Sequence, residues 1–186
     1  MDLTGQVIIM AGCATPVAGM LARRLAGLGG RLVLIDRDTT PLLRIAAAFP
    51  GQIETLRLSL ADDAACDRVA AHWGSCPALA MINALPLQET PEACASGRLV
   101  LERMFSAALA AAEAGRVLTL APGGVAARVH LQQAAAARSR MAALGVRHAT
   151  IVLNPGLTPE ACAPLVATLL GPAGTLVDGA IVPLSP

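Results

Sequence analysis

The sequence predicts an α/β fold in which one domain, residues 1–186, forms a doubly wound parallel sheet of six or seven strands. Three observations carry that expectation. Short apolar runs rich in β-branched residues recur along the chain, and each is followed by apolar residues at helical spacing. A parallel crossover needs its own helix, so this alternation means parallel strands covered on both faces. Finally, 55% of the chain is hydrophobic and only 15% charged, against about 45–50% and ~25% in ordinary domains. That surplus exceeds what one folded chain needs and leaves apolar surface for association.

The elements follow in order. Gln6 to Ala11 reads as the first strand, with Gly12 as the turn and Val17, Met20, Leu21, Leu25 and Leu28 marking the first helix. Gly29-Gly30 leads into a second strand, Arg31 to Asp36, and Thr40 to Phe49 supports a second helix. Ile53 to Leu58 is strand three, Asp62 or Asp63 caps a helix running through His72, and Ala78 to Asn83 is strand four. After a loop marked by Pro86 and Pro91, a helix is expected over Leu99 to Ala114, strand five over Arg116 to Leu120, and a long helix over Ala126 to Leu144. Gly115 and Gly145 are expected to close those two helices. Thr150 to Leu153 gives strand six, Leu165 to Leu170 a short helix, and Leu176 to Leu184 a last strand carrying Asp178-Gly179.

Composition excludes several functions. The longest charge-free stretch, Val69 to Gln88, is interrupted by His72, Pro77, Asn83 and Pro86, so no transmembrane helix is expected. The N-terminus lacks the pattern of a signal peptide, so the protein is expected in the cytoplasm. Five cysteines at irregular spacing, without a CxxC pair, read as reduced core thiols rather than disulfides or a zinc site. His72, His130 and His148 share no metal-ligand spacing and are expected to be partly exposed on helices or loops. Net charge is +1 and the fourteen basic residues, all arginine, form no stripe with aromatics, which argues against nucleic acid.

Several short motifs, in order along the chain, resemble the short-chain dehydrogenase/reductases, a family with a Rossmann-type sheet. Gly12-Cys13-Ala14-Thr15-Pro16-Val17-Ala18 stands where that family has GxxxGxG, and only the first glycine matches. Asp36 resembles the acid closing strand two, Asn83-Ala84-Leu85 the asparagine turn after strand four, and Asn154-Pro155-Gly156 the proline-glycine after strand six. Asp178 to Leu184 is similar to the family's terminal strand. The resemblance implies a cofactor site at Gly12, Asp36 and Asn83, with Asp36 favouring NAD over NADP through a ribose hydroxyl.

Against that pattern, the catalytic set is empty. The family passes a proton through a Tyr-x-x-x-Lys pair on the helix after strand five, and this chain contains no tyrosine and no lysine. General acid catalysis needs an ionisable group within reach of the substrate oxygen. The family's serine position falls in Leu118 to Gly124, which has no hydroxyl at the matching place, and its helical asparagine near Val100 or Leu101 is absent too. The loop after strand five is short, and Gly156 is followed within a few residues by Pro159 and the last helix, leaving no substrate lid. Pro16 removes an N–H from the pyrophosphate turn and Ala18 adds a methyl, so Gly12, Asp36 and Asn83 read as remnants of a cofactor site.

In the family the two helices expected at Leu99 to Ala114 and Ala126 to Leu144 pair with their equivalents on another subunit, and the terminal strand lies at a further contact. Here both helices are present and rich in alanine. The resemblance therefore implies a non-catalytic subunit of a hetero-oligomer, a heterotetramer with an active full-length NAD-dependent dehydrogenase of the family. NAD is expected in the partner and not in this chain. Shortened, inactive subunits of this kind occur in enzymes such as 2-(α-hydroxybenzyl)succinyl-CoA dehydrogenase, which implies a hydroxyacyl-CoA substrate. Two alternatives stand beside it: a free-standing nucleotide or small-molecule sensor using Gly12 and Asp36, and an enzyme of different chemistry using Cys13, where a helix N-terminus lowers a thiol pKa.

Overall fold

The structure, a computed structural model, describes residues 2–124, 127–171, 174 and 178–184. Seven parallel strands are present: β1 (Val7–Ala11), β2 (Arg31–Asp36), β3 (Ile53–Arg57), β4 (Ala80–Asn83), β5 (Arg116–Pro122), β6 (Arg147–Leu153) and β7 (Ile181–Leu184). Their order is β3-β2-β1-β4-β5-β6-β7, so the chain winds outward from β1 to β3 and returns to start again at β4. The connecting helices are α1 (Pro16–Gly27), α2 (Thr40–Ala48), α3 (Asp63–Trp73), α4 (Pro91–Ala110), α5 (Ala127–Ala142) and α6 (Pro159–Leu170).

Period-two alternation divides the core between the two faces of the sheet. Ile8 and Met10 of β1 join Leu21, Leu25, Leu42 and Val166 under α1, α2 and α6. Ile9 and Ala11 point the other way, onto Trp73, Phe105, Leu109 and Met141 of α3, α4 and α5. The helices start where local chemistry supplies acceptors for unpaired N–H groups. Thr15, Asp62 and Thr90 each cap with a side-chain oxygen, and Pro16 and Pro91 open α1 and α4.

Several expected boundaries move. The fourth helix begins at Pro91, not Leu99, because Thr90 accepts the Ala93 N–H and the proline costs nothing at the first helical position. It ends at Ala110, so Gly115 is not its cap; Gly115 sits before β5, where a Cβ would lie 1.9 Å from the Leu109 carbonyl oxygen. The sixth strand starts at Arg147 rather than Thr150, since Arg147 and His148 pair with Arg116 and Val117. The last helix starts at Pro159, with Pro164 inside it, held by buried Cys162 and Ala163. Strand β7 begins at Ile181; Leu176, the expected start, and Ala126, the expected first residue of the fifth helix, lie outside the described residues.

Between the sheet and the α4–α5 pair lies a buried polar network that no periodicity announces. Arg140 of α5 donates two hydrogen bonds to the Glu102 carboxylate of α4, at 2.7 and 3.0 Å, and Arg98 Nε lies 3.4 Å from the same carboxylate. Arg98 and Glu102 are each only 6% exposed. His148 of β6 bonds Thr119 of β5 through Nε2 at 3.1 Å, and its backbone N–H donates to Asp178. His148 and His130 are both buried, which corrects the expectation of partly exposed histidines; His72 alone is exposed, edge-on to Trp73. A strand-initial and an inward helical histidine lie against the core because the sheet and α5 leave them no other direction.

Two stability effects follow. Glu102→Ala leaves the Arg98 guanidinium buried without its counter-charge, and breaking such a pair costs about 3 kcal/mol, to be read as a lowered urea midpoint at unchanged slope. Burial, with Arg98 adding to it, pushes the His148 pKa down to about 4, whereas the unfolded side chain titrates near 6.5. The unfolded state therefore binds the extra proton first. Stability from neutral His148 is complete above pH ~6.5 and is lost as pH falls towards 4, a change on the order of 3 kcal/mol. Urea titrations at pH 7.5 and 4.5 are expected to show that loss, and His148→Gln to reduce it.

Candidate functional site

The reversal of strand order opens a crevice at the C-terminal ends of β1, β2, β3 and β4, the place where an α/β sheet of this kind takes a ligand. Gly12 leaves β1 with φ +76°, and its N–H donates to the Ile35 carbonyl at 3.1 Å. A Cβ at this position would lie 2.6 Å from the Leu85 nitrogen and 2.7 Å from the Ala84 carbonyl carbon. Asn83 is buried, and its Oδ1 accepts the Leu85 N–H at 3.1 Å, shaping the turn that presses on Gly12. The two motifs are thus halves of one packing contact across the switch point.

Asp36 is occupied as well. Its Oδ2 accepts the Ala14 N–H at 2.9 Å and the Gln88 side-chain amide at 3.1 Å, and its Oδ1 accepts the Asp38 N–H at 3.2 Å. The carboxylate ties the Gly12 turn to the end of β2 and to the segment after β4. Beside it is a cavity of about 200 Å³, bordered by Gly12, Asp36, Ser59, Leu60, Gln88 and Gly97. Arg37 and Glu89 form an ion pair at its rim. A ribose hydroxyl at this wall would meet a carboxylate that already accepts three hydrogen bonds from the chain. Gln88, Glu89, Ser59 and Gly97 were not foreseen as lining residues: they occupy no motif position, and only the topology brings them together.

Thr15 already caps α1 by accepting the Ala18 N–H at 3.2 Å, and Pro16 has no N–H to offer an anion. Cys13 is a buried core thiol, as the cysteine pattern predicts, and not the thiolate that the alternative chemistry needs. Its Sγ is buried and donates to the Met10 carbonyl, and burial, with Asp36 nearby, pushes the thiol far above its ordinary range. The helix N-terminus is outweighed by desolvation.

The end of β5 is closed by backbone packing. The Gly123 N–H donates to the Leu153 carbonyl at 2.8 Å, and a Cβ on Gly123 would lie 2.5 Å from Asn154 Oδ1. Thr119, the nearest hydroxyl upstream, is buried and engaged with His148. Between Leu153 and Pro159 the chain passes directly from β6 to α6, with no inserted segment over the crevice. Among the described residues, no group of three or more His, Cys, Asp or Glu side chains is placed to hold a metal ion, and no helix is long and apolar enough to cross a membrane.

Gly12→Ala tests whether this turn is structural. The left-handed backbone alone costs about 1–2 kcal/mol, and the Leu85 backbone must also move. A larger loss is therefore expected in urea denaturation of the isolated, ligand-free protein.

No family model and no curated protein matches the sequence. Solved structures do. The RhlG–NADP active-site complex of Pseudomonas aeruginosa superposes with a TM-score of 0.79 at 16% identity, covering 99% of this chain and 96% of that one. A short-chain dehydrogenase/reductase family protein gives 0.77 at 19%, covering 99% and 97%. A metagenomic short-chain oxidoreductase in complex with NADP gives 0.73 at 23%, again covering 99% and 97%. With its strand order, switch-point crevice and end-to-end superposition, the chain has the fold of the short-chain dehydrogenase/reductases.

Proposed function

We propose that this chain is a non-catalytic subunit that assembles with an active, full-length NAD-dependent short-chain dehydrogenase, as part of a heterotetramer. The observation that carries the reading is an asymmetry. Tyrosine and lysine are absent from the whole chain and the end of β5 is sealed against β6, while α4 and α5 each keep an exposed large apolar side chain among their outward polar ones. Leu99 of α4 and Val129 of α5 are 51% and 41% exposed. Ala135 and Ala136 of α5 are exposed as well, with side chains small enough for close helix approach. Ala108, by contrast, is buried in the chain's own core.

On this reading the partner binds NAD and carries the catalytic Ser, Tyr and Lys, and this chain binds no cofactor. Asp36 works within the fold, and the substrate class most in keeping with the resemblance is a hydroxyacyl-CoA, oxidised at a secondary alcohol. The second reading, a nucleotide sensor, draws on the cavity beside Asp36. Its ligand would share a carboxylate that already accepts from Ala14, Asp38 and Gln88.

Co-purification with a full-length dehydrogenase from the same genome, followed by mass measurement, separates the two. Ala135→Arg is expected to fold and to lose the partner, because a cation would be desolvated between closely packed helices. Ala108→Arg is expected not to fold, and Asp36→Ala to keep the partner. A soluble monomer that takes up NAD stoichiometrically in calorimetry would overturn the subunit reading in favour of the sensor.

A further inference from the structure

The cavity beside Asp36 has an apolar floor and a polar mouth. Gly12, Ile35, Leu58 and Gly97 form the floor and are buried, and Leu60 and Leu85 stand half-buried at its sides. The polar side chains that border it all reach solvent: Arg37, Ser59, Gln88 and Ser96 are exposed, and Asp36 and Glu89 half-buried.

Each of those polar side chains is already engaged within the chain. The Asp36 carboxylate accepts the N–H groups of Ala14 and Asp38 and the Gln88 amide. Arg37 and Glu89 are paired with each other. Ser59 Oγ accepts the Ala61 N–H at 3.4 Å, and the Ser96 hydroxyl donates to the Glu92 carbonyl at 3.3 Å. A polar ligand edge entering this space gives up water without gaining a free partner, and each group left unmet lowers affinity by about tenfold or more. The mouth also sets two carboxylates, Asp36 and Glu89, against the single guanidinium of Arg37, which disfavours an anion.

Shape and apolar surface are what the cavity has left to offer. It measures about 200 Å³, and an apolar protein cavity of ~150 Å³ holds a benzene molecule. The space matches one aromatic ring or a fused pair. Towards the start of α1, where a pyrophosphate would lie, the Ala14 N–H is taken by Asp36, the Ala18 N–H by Thr15, and Pro16 has none. We propose that this cavity binds a compact, uncharged aromatic ring that carries neither sugar nor phosphate, seated against Ile35, Leu60 and Leu85. Such a ligand differs from the dinucleotide that a crevice of this fold takes, and the inference stands whether or not the chain is a subunit.

Indole serves as the probe, with adenosine as its polar counterpart. Calorimetric titration of the full chain is expected to give saturable one-to-one binding of indole, about tenfold tighter than adenosine, whose ribose hydroxyls and ring nitrogens go unpaired. In isotopically labelled protein the amide resonances that move with indole should be those of Gly12, Leu60, Leu85 and Gly97. Ala93 of α4 is exposed at the mouth, so Ala93→Phe plugs the cavity from outside and should abolish the indole response with the circular dichroism unchanged. If that variant does not fold, Ser96→Phe, one helical turn further along the same mouth, replaces it with the same expectation. No saturable indole binding by the folded wild-type chain, amide shifts confined to another surface, or binding that persists in the folded, plugged variant overturns the proposal. Adenosine bound as tightly as indole overturns it too and supports the nucleotide sensor instead. A failure of indole to bind leaves the subunit reading where co-purification puts it.

Discussion

The structure turns on one close approach, the Leu85 backbone lying against Gly12 where a side chain would not fit. This contact joins the two halves of the sheet, because Gly12 ends β1 and Leu85 follows β4. Asn83 shapes the turn from one side and Asp36 anchors it from the other through Ala14 and Gln88. Buried backbone groups must be paired. Here the pairing is done by the side chains that a dinucleotide site of this fold would offer to its ligand.

That internal use separates two meanings of a motif. Gly12, Asp36 and Asn83 are each satisfied within the fold, so their presence does not require a cofactor. The parts of the motif that approach a pyrophosphate are another matter. Pro16 has no N–H to give, and Thr15 already engages the Ala18 N–H. Gly12 is the glycine that this turn needs for folding, and neither position 16 nor position 18 holds one.

The other half of the sheet carries a different constraint. Arg140 of α5 bonds the Glu102 carboxylate of α4, Arg98 lies buried beside it, and Thr119 and His148 form a second buried polar pair on β5 and β6. Buried ion pairs contribute little net stability when compared with apolar packing, yet removing one member is costly. The network therefore holds the two helices in a single relative position and leaves their outer faces aligned as one surface. Leu99 of α4 and Val129, Ala135 and Ala136 of α5 are exposed on the outer sides of the two helices.

Much of the fold was legible because parallel strands buried on both faces must be nearly continuous apolar runs, and β1, β2 and β4 are read directly from VIIMA, RLVLID and AMIN. The first strand's glycine, the acid of β2 and the asparagine of β4 were also found in sequence, since each stands at the end of a run. Boundaries were less legible where polar residues enter a strand or a helix. Arg147 and His148 belong to β6 by pairing with Arg116 and Val117, His148 also bonding Thr119 across the sheet, and Glu102 lies on the inner side of α4 because Arg98 of its own helix and Arg140 of α5 offset its charge. By itself the sequence determined the order of elements and the absence of the Tyr–Lys chemistry, both of which depend only on residue identity and spacing. Tertiary structure alone decided that Asp36 is spoken for, that His130 and His148 are buried, and that Ala108 faces inward while Ala135 faces out. Each of those is a matter of which distant groups share a space, and a linear pattern does not encode it.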